Sequence, residues 1–173
     1  MKGEIKPGSI KISRLRTKIL EGEIKIPPFQ RQFVWDEEQI IELLDSIYKD
    51  YPIGSVLLWE TNDKLPARRE VGGFTLEETN PELPLLYVLD GQQRITSIFG
   101  IFCNEDISRT NEEMASKFDI VFDVNKKQFK MSYDVSETDL IIPLRIIFDN
   151  FVFNKYLASN KLFNEEKSKE AIR

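Results

Sequence analysis

Ile12, Leu15, Ile19 and Leu20 recur at helical spacing and Gly22 follows as a stop, so the pattern predicts a short helix starting at Ser9 or Ser13 and ending at Glu21. Ile24-Lys25-Ile26 alternates as a short strand does, and Pro27-Pro28 ends it, because proline cannot donate to a ladder. Phe29 to Trp35 sets aromatics around Gln30, Arg31 and Gln32 without a helical start. It reads as extended chain with Phe33 and Trp35 in the core. Asp36 opens the clearest helix: Gln39 completes the pattern of a capping box, and Ile40, Ile41, Leu43, Leu44, Ile47, Tyr48 and Tyr51 form one apolar stripe before Pro52 and Gly54.

Ser55 to Glu60 is a continuous apolar run, expected as a strand buried on both faces. Residues 61–82 are rich in Gly, Pro, Asn and Asp and read as a loop or hairpin inserted at the surface. Leu83 to Leu89 is a second apolar strand. Asp90-Gly91 turns it directly into a helix whose inner face is Ile95, Ile98, Phe99 and Phe102, with Gln93 and Ser97 on the opposite side. Residues 118–133 read as a β-hairpin around Asn125-Lys126-Lys127, and from Leu140 the chain reads as helical again. The predicted architecture is a single α+β domain over 1–173, with a small mixed sheet and several helices. Residues 164–173 look like the opening of a polar helix that is then cut, so the domain is expected to be part of a longer chain; an ordinary charged tail is the other reading.

Composition removes whole classes of chemistry. With 41% hydrophobic and 31% charged residues the chain is of globular type. Because it has no histidine, it cannot build a Ser-His-Asp triad, a histidine-metal nuclease or a His₂ zinc site, and one cysteine cannot form an internal disulfide. Cys103 lies among apolar residues and reads as a packing thiol. No apolar stretch reaches the ~18 residues of a membrane span and no signal segment opens the chain, so a cytoplasmic protein without membrane contact is expected. The net charge is −5, but residues 1–35 hold eight Lys or Arg against three Glu, a balance of +5 that leaves −10 elsewhere. Lys11, Arg14 and Lys18 are therefore candidate DNA-binding residues, with a solvated helix face as the plain alternative.

The densest polar cluster in an apolar setting is Asp90-Gly91-Gln92-Gln93-Arg94. At a strand-to-helix turn the first N–H groups of the helix have no internal partners, which favours an anion, and glycine allows close approach. Arg94 adds a fork of donors for phosphate, and Asp90 is a candidate ligand for a divalent metal. A helix-capping Asp with Arg94 as its structural partner is the alternative. No G-x-x-x-x-G-K-[ST] occurs, so this is not a Walker A loop. Glu37-Glu38, Glu77-Glu78 and Glu112-Glu113 read as helix-start or loop charges. In Ile26 to Trp35, Gln30 and Arg31 are the candidate site residues.

Ile26-Pro27-Pro28-Phe29-Gln30-Arg31-Gln32-Phe33-Val34-Trp35, Gly54-Ser55-Val56-Leu57-Leu58-Trp59 and Leu89-Asp90-Gly91-Gln92-Gln93-Arg94-Ile95-Thr96 together resemble the N-terminal domain shared by GmrSD-type restriction enzymes and SspE-type phosphorothioate-sensing defence proteins. The matching stretch is residues 26–100. The resemblance implies a ParB/sulfiredoxin-like fold and bacterial phage defence. It also implies nucleoside triphosphate hydrolysis coupled to recognition of modified DNA, while cleavage belongs to a downstream or separate HNH-type nuclease region, so that nuclease activity is not expected from this chain. Asp90, Gln92, Gln93 and Arg94 would then be catalytic. Gln30, Arg31, Gly91, Arg94 and Thr96 would bind nucleotide or phosphate, and Asp90 would hold Mg²⁺. The alternative is a non-catalytic DNA-binding module of the same kind of system, in which Arg31 and Arg94 grip backbone phosphate.

Overall fold

The computed structural model describes residues 6–103 and 107–160, so the polar segment at 164–173 lies outside the described residues. In chain order the elements are α1 (Ile12–Leu20), β1 (Ile24–Lys25), α2 (Glu37–Tyr48), β2 (Leu57–Thr61), β3 (Glu70–Val71), β4 (Phe74–Thr75), β5 (Leu85–Asp90), α3 (Gln92–Ile101), α4 (Glu112–Ser116), β6 (Ile120–Asp123), β7 (Gln128–Met131), β8 (Ile141–Pro143), a 3₁₀ turn (Leu144–Ile146) and α5 (Asn150–Ser159). This is the α+β architecture expected, with small mixed and antiparallel sheets.

The apolar strand β5 is the middle of a mixed sheet ordered β1-β5-β2. It runs parallel to β1, with Ile24 opposite Leu86, and antiparallel to β2, with Leu58 opposite Val88 and Trp59 opposite Tyr87. Only Gly91 separates β5 from α3. Every residue of α3 except Arg94 is buried, which makes it the central helix of the core and not an amphipathic surface helix. The sequence placed Gln93 and Ser97 on a side away from the apolar face; α3 has no solvent side, because α1, the β3–β4 hairpin and Phe118 close around it.

Asp36 caps α2 as expected. Its carboxylate accepts the Gln39 N–H while the Gln39 side chain accepts the Asp36 N–H, a reciprocal box. Ile40, Leu43 and Leu44 are buried, and Tyr48 packs against Phe122 and Phe129, joining α2 to the second sheet. Glu37-Glu38 and Glu112-Glu113 lie in the first turns of α2 and α4, where the helix dipole favours negative charge.

Three expectations change. β2 is an edge strand with Leu57 and Trp59 more than 40% exposed, since no element among the described residues covers its outer side; Trp59 leans on Tyr87 instead. The insertion at 61–82 is not wholly superficial. The β3–β4 hairpin turns through Gly72-Gly73 and sinks Val71 and Phe74 into the core, where Phe74 meets Phe99 edge-on. From Leu140 the chain first adds β8 to β6 before turning helical, because Ile141 and Ile142 complete the β7-β6-β8 sheet.

The predicted hairpin β6–β7 is stapled by charges. Asp123 is fully buried, accepts the Lys126 N–H and lies 3.1 Å from Lys130 Nζ. Asp139, nearly as buried, takes Lys126 and Lys130 at 2.7 and 2.9 Å and accepts the Ser136 N–H. Lys126, the Ser136 amide and Lys130 hold the Asp139 carboxyl well below the usual carboxylate range. Its contribution to stability is thus full above its unfolded pKa near ~4 and is lost as pH falls from there toward the depressed folded value. Asp139→Asn is expected to lower the melting temperature at pH 7. The gap between variant and wild type should narrow steadily below about pH 4, as thermal melts across pH will check; a gap unchanged at pH 3 would contradict this pairing.

Candidate functional site

The site is built where β5 ends and α3 begins. Gly91 holds φ +85°, a left-handed turn that only glycine adopts freely, and a Cβ there would meet Val56 Cγ2 at 2.9 Å. It therefore offers α3 no capping side chain, whereas α2, α4 and α5 are capped by Asp36, Asn111 and Asp149. The first internal bond of α3 runs from the Ile95 N–H to the Gly91 carbonyl, so the N–H groups of Gln92, Gln93 and Arg94 remain at an uncapped helix start. Asp90 stands just before it with a carboxylate 73% exposed, 3.9 Å from Arg94 Nη2.

Arg94 has two duties. Its Nη1 donates to the Ile53 and Ser55 carbonyls at 3.1 and 2.7 Å, latching the loop between α2 and β2, while Nη2 faces Asp90. Gly54 permits this, since a Cβ at that residue would lie 2.5 Å from Nη1. The two glutamines differ sharply. Gln93 Oε1 accepts the N–H groups of Val34 and Trp35, and Nε2 donates to the Gln32 carbonyl. Gln93 is spent on holding the extended segment. Gln92 is as deeply buried, yet its Oε1 has no hydrogen-bond partner. Thr96 is 1% exposed and packs its methyl toward Gly72, one turn inside the core, with an unpartnered hydroxyl.

Gln30 lies against the end of β5, where its Nε2 donates to the Leu89 carbonyl at 2.9 Å, one residue before Asp90. Arg31 is exposed beside this link and makes no hydrogen bond or ion pair among the described residues. Phe33 and Trp35 pack against the core, Phe33 on Phe118 at 5.2 Å. Among the described residues no group of three or more His, Cys, Asp or Glu converges to hold a metal ion. Asp90 offers one carboxylate, which fits a Mg²⁺ ion that keeps waters and takes most of its ligands from phosphate.

The basic residues of α1 lie elsewhere. Arg16 Nε donates to the Phe102 carbonyl, at the end of α3 remote from Asp90. Around it, Lys18 pairs with Glu23, and Arg14 lies 3.6 and 3.7 Å from Glu21 and Glu23. Lys11 is exposed at the start of the helix. The +5 balance is thus partly spent locally. Cys103 is buried, and burial pushes its thiol pKa up to about 12, the state of an unreactive packing residue.

Sequence reasoning missed two residues that shape this site. Gly54 makes room for Arg94, and Arg68 Nη2 donates to the Pro28 and Gln30 carbonyls. The available signal for the second was an Arg-Arg pair in a stretch otherwise read as surface loop.

No helix among the described residues is long and apolar enough to cross a membrane. The chain is 42% identical over 86 residues to an uncharacterized protein, MJ0686, of Methanocaldococcus jannaschii, a match covering 47% of this chain and 15% of that protein. The family model for the GmrSD restriction endonuclease N-terminal domain matches residues 12–173, spanning α1, the Gln30 segment, the Asp90 turn and everything after them. On that match the chain belongs to the GmrSD N-terminal domain family, a component of DNA restriction systems.

Proposed function

We propose that this domain binds a nucleoside triphosphate at the Asp90–Arg94 turn and hydrolyses it with Mg²⁺, as the regulatory module of a modification-dependent restriction system acting on DNA with an HNH-type nuclease. The observation that carries the reading is the glycine-started, uncapped α3, with Arg94 and an exposed Asp90 at the same helix start. Three amide donors and a positive helix end favour phosphate oxygens, and Arg94 Nη2 adds charge where Nη1 is already anchored. A bound Mg²⁺ would screen the phosphate charge. Asp90 is the residue to hold it or its waters. Gln92, whose side-chain oxygen is buried but unpartnered, is freer than the fully engaged Gln93 to orient an attacking water.

Phosphate release from ATP and GTP, measured with and without Mg²⁺, tests this beside a salt titration of DNA binding. Mg²⁺-dependent release is expected. DNA binding with a steep salt slope and no nucleotide binding would favour the non-catalytic DNA-binding reading instead.

A further inference from the structure

Arg68 is half-buried and holds its guanidinium without a counter-ion among the described residues. Its Nη2 donates to two neutral carbonyls, Pro28 at 3.2 Å and Gln30 at 2.5 Å, and its Nε is buried with no acceptor. Among the described residues no carboxylate lies within ion-pair distance of it. A charge without a counter-ion and a desolvated donor both cost stability, and an apolar side chain of similar volume serves packing better. Such a residue is retained where it positions something.

What it positions is specific. The Arg68 N–H also bonds the Ile26 carbonyl, and the Gln30 N–H closes a turn on the Pro27 carbonyl. Residues 27–30 are therefore gripped from one side by Arg68 and from the other by the Gln30 bond to Leu89, the residue before Asp90. Arg31 emerges from this clamped turn, exposed and unpaired among the described residues.

We propose that Arg68 is a positioning residue that fixes the Pro27–Gln30 turn so that Arg31 is held ready for the phosphate chain of the ligand at Asp90–Arg94. This rests on the triphosphate reading above. Arg68 acts on the ligand only through the turn it holds, so its effect passes through Arg31.

The test combines Arg68→Met, Arg68→Lys and Arg31→Ala, each read by melting temperature and by the dissociation constant for a non-hydrolysable Mg²⁺-triphosphate analogue. Arg68→Met is expected to melt close to wild type and to bind about tenfold more weakly, the size of one charge-assisted contact. Arg68→Lys should recover part of the affinity, since one ammonium reaches one carbonyl. The double variant Arg68→Met/Arg31→Ala should bind no worse than Arg31→Ala alone, because the residues act in series. Wild-type affinity in a folded Arg68→Met overturns this inference and leaves the triphosphate reading standing, as do additive losses. If Arg68→Met does not fold, the Arg68→Lys and Arg31→Ala pair carries the same cycle. Wild-type protein that binds no triphosphate overturns both.

Discussion

Arg94→Ala is expected to weaken triphosphate binding by about ten- to a hundredfold, the loss of a charge-assisted contact of ~1.5–3 kcal/mol. The sequence, with the helix's inner face already supplied by Ile95, Ile98, Phe99 and Phe102, suggested little change in melting temperature. The geometry changes that expectation. Nη1 holds the Ile53 and Ser55 carbonyls, so truncation also frees the loop that Gly54 shapes, at a cost of about 1–2 kcal/mol in unfolding free energy. Both effects are read on one protein, by calorimetric titration and urea melts. Arg94→Lys should retain part of each, because an ammonium can reach the carbonyls or the phosphate but lacks the planar fork that serves both. A variant that melts earlier while binding nucleotide normally would make Arg94 a structural latch alone.

The second large effect belongs to Gln93. Gln93→Ala leaves the N–H groups of Val34 and Trp35 and the Gln32 carbonyl without their buried partner. Leaving such groups unmet costs about 1–3 kcal/mol each, moderated here by the partial exposure of the segment, so a loss of about 2–4 kcal/mol is expected in urea unfolding. Gln92→Ala removes a side chain with an unpartnered oxygen. It should cost far less stability while slowing phosphate release. Equal stability of the two variants would mean that the Gln93 links are dispensable.

Much of this arrangement was legible in the residues. The capping pair Asp36 and Gln39, the helical stripe behind it and the Asp90-Gly91 break announce themselves through local chemistry that tertiary packing then kept. Gln30 and the Asp90 turn both read as candidate site residues, and the Gln30 bond to Leu89 links the segments that carry them. What escaped was decided by neighbours. The apolar run at Ser55–Glu60 reads the same whether central or at an edge, and only the β1-β5-β2 order leaves β2 outermost. Gln93 reads as a reactive group in a polar cluster. Its role as a backbone partner appears only when Gln32 to Trp35 folds against it from 58 to 61 residues away. Arg68 was hidden by the loop-like composition around a hairpin whose tip lies in the core.

The central claim is that the phosphates lie on the uncapped start of α3, and backbone amide NMR of the labelled domain titrated with a Mg²⁺-bound non-hydrolysable triphosphate tests it most directly. The amides of Gly91, Gln92, Gln93 and Arg94 should shift first and furthest, with Gln30 and Arg31 following and α1 unmoved. Shifts confined to α1, or none at Gly91 to Arg94 at saturating ligand, would contradict it.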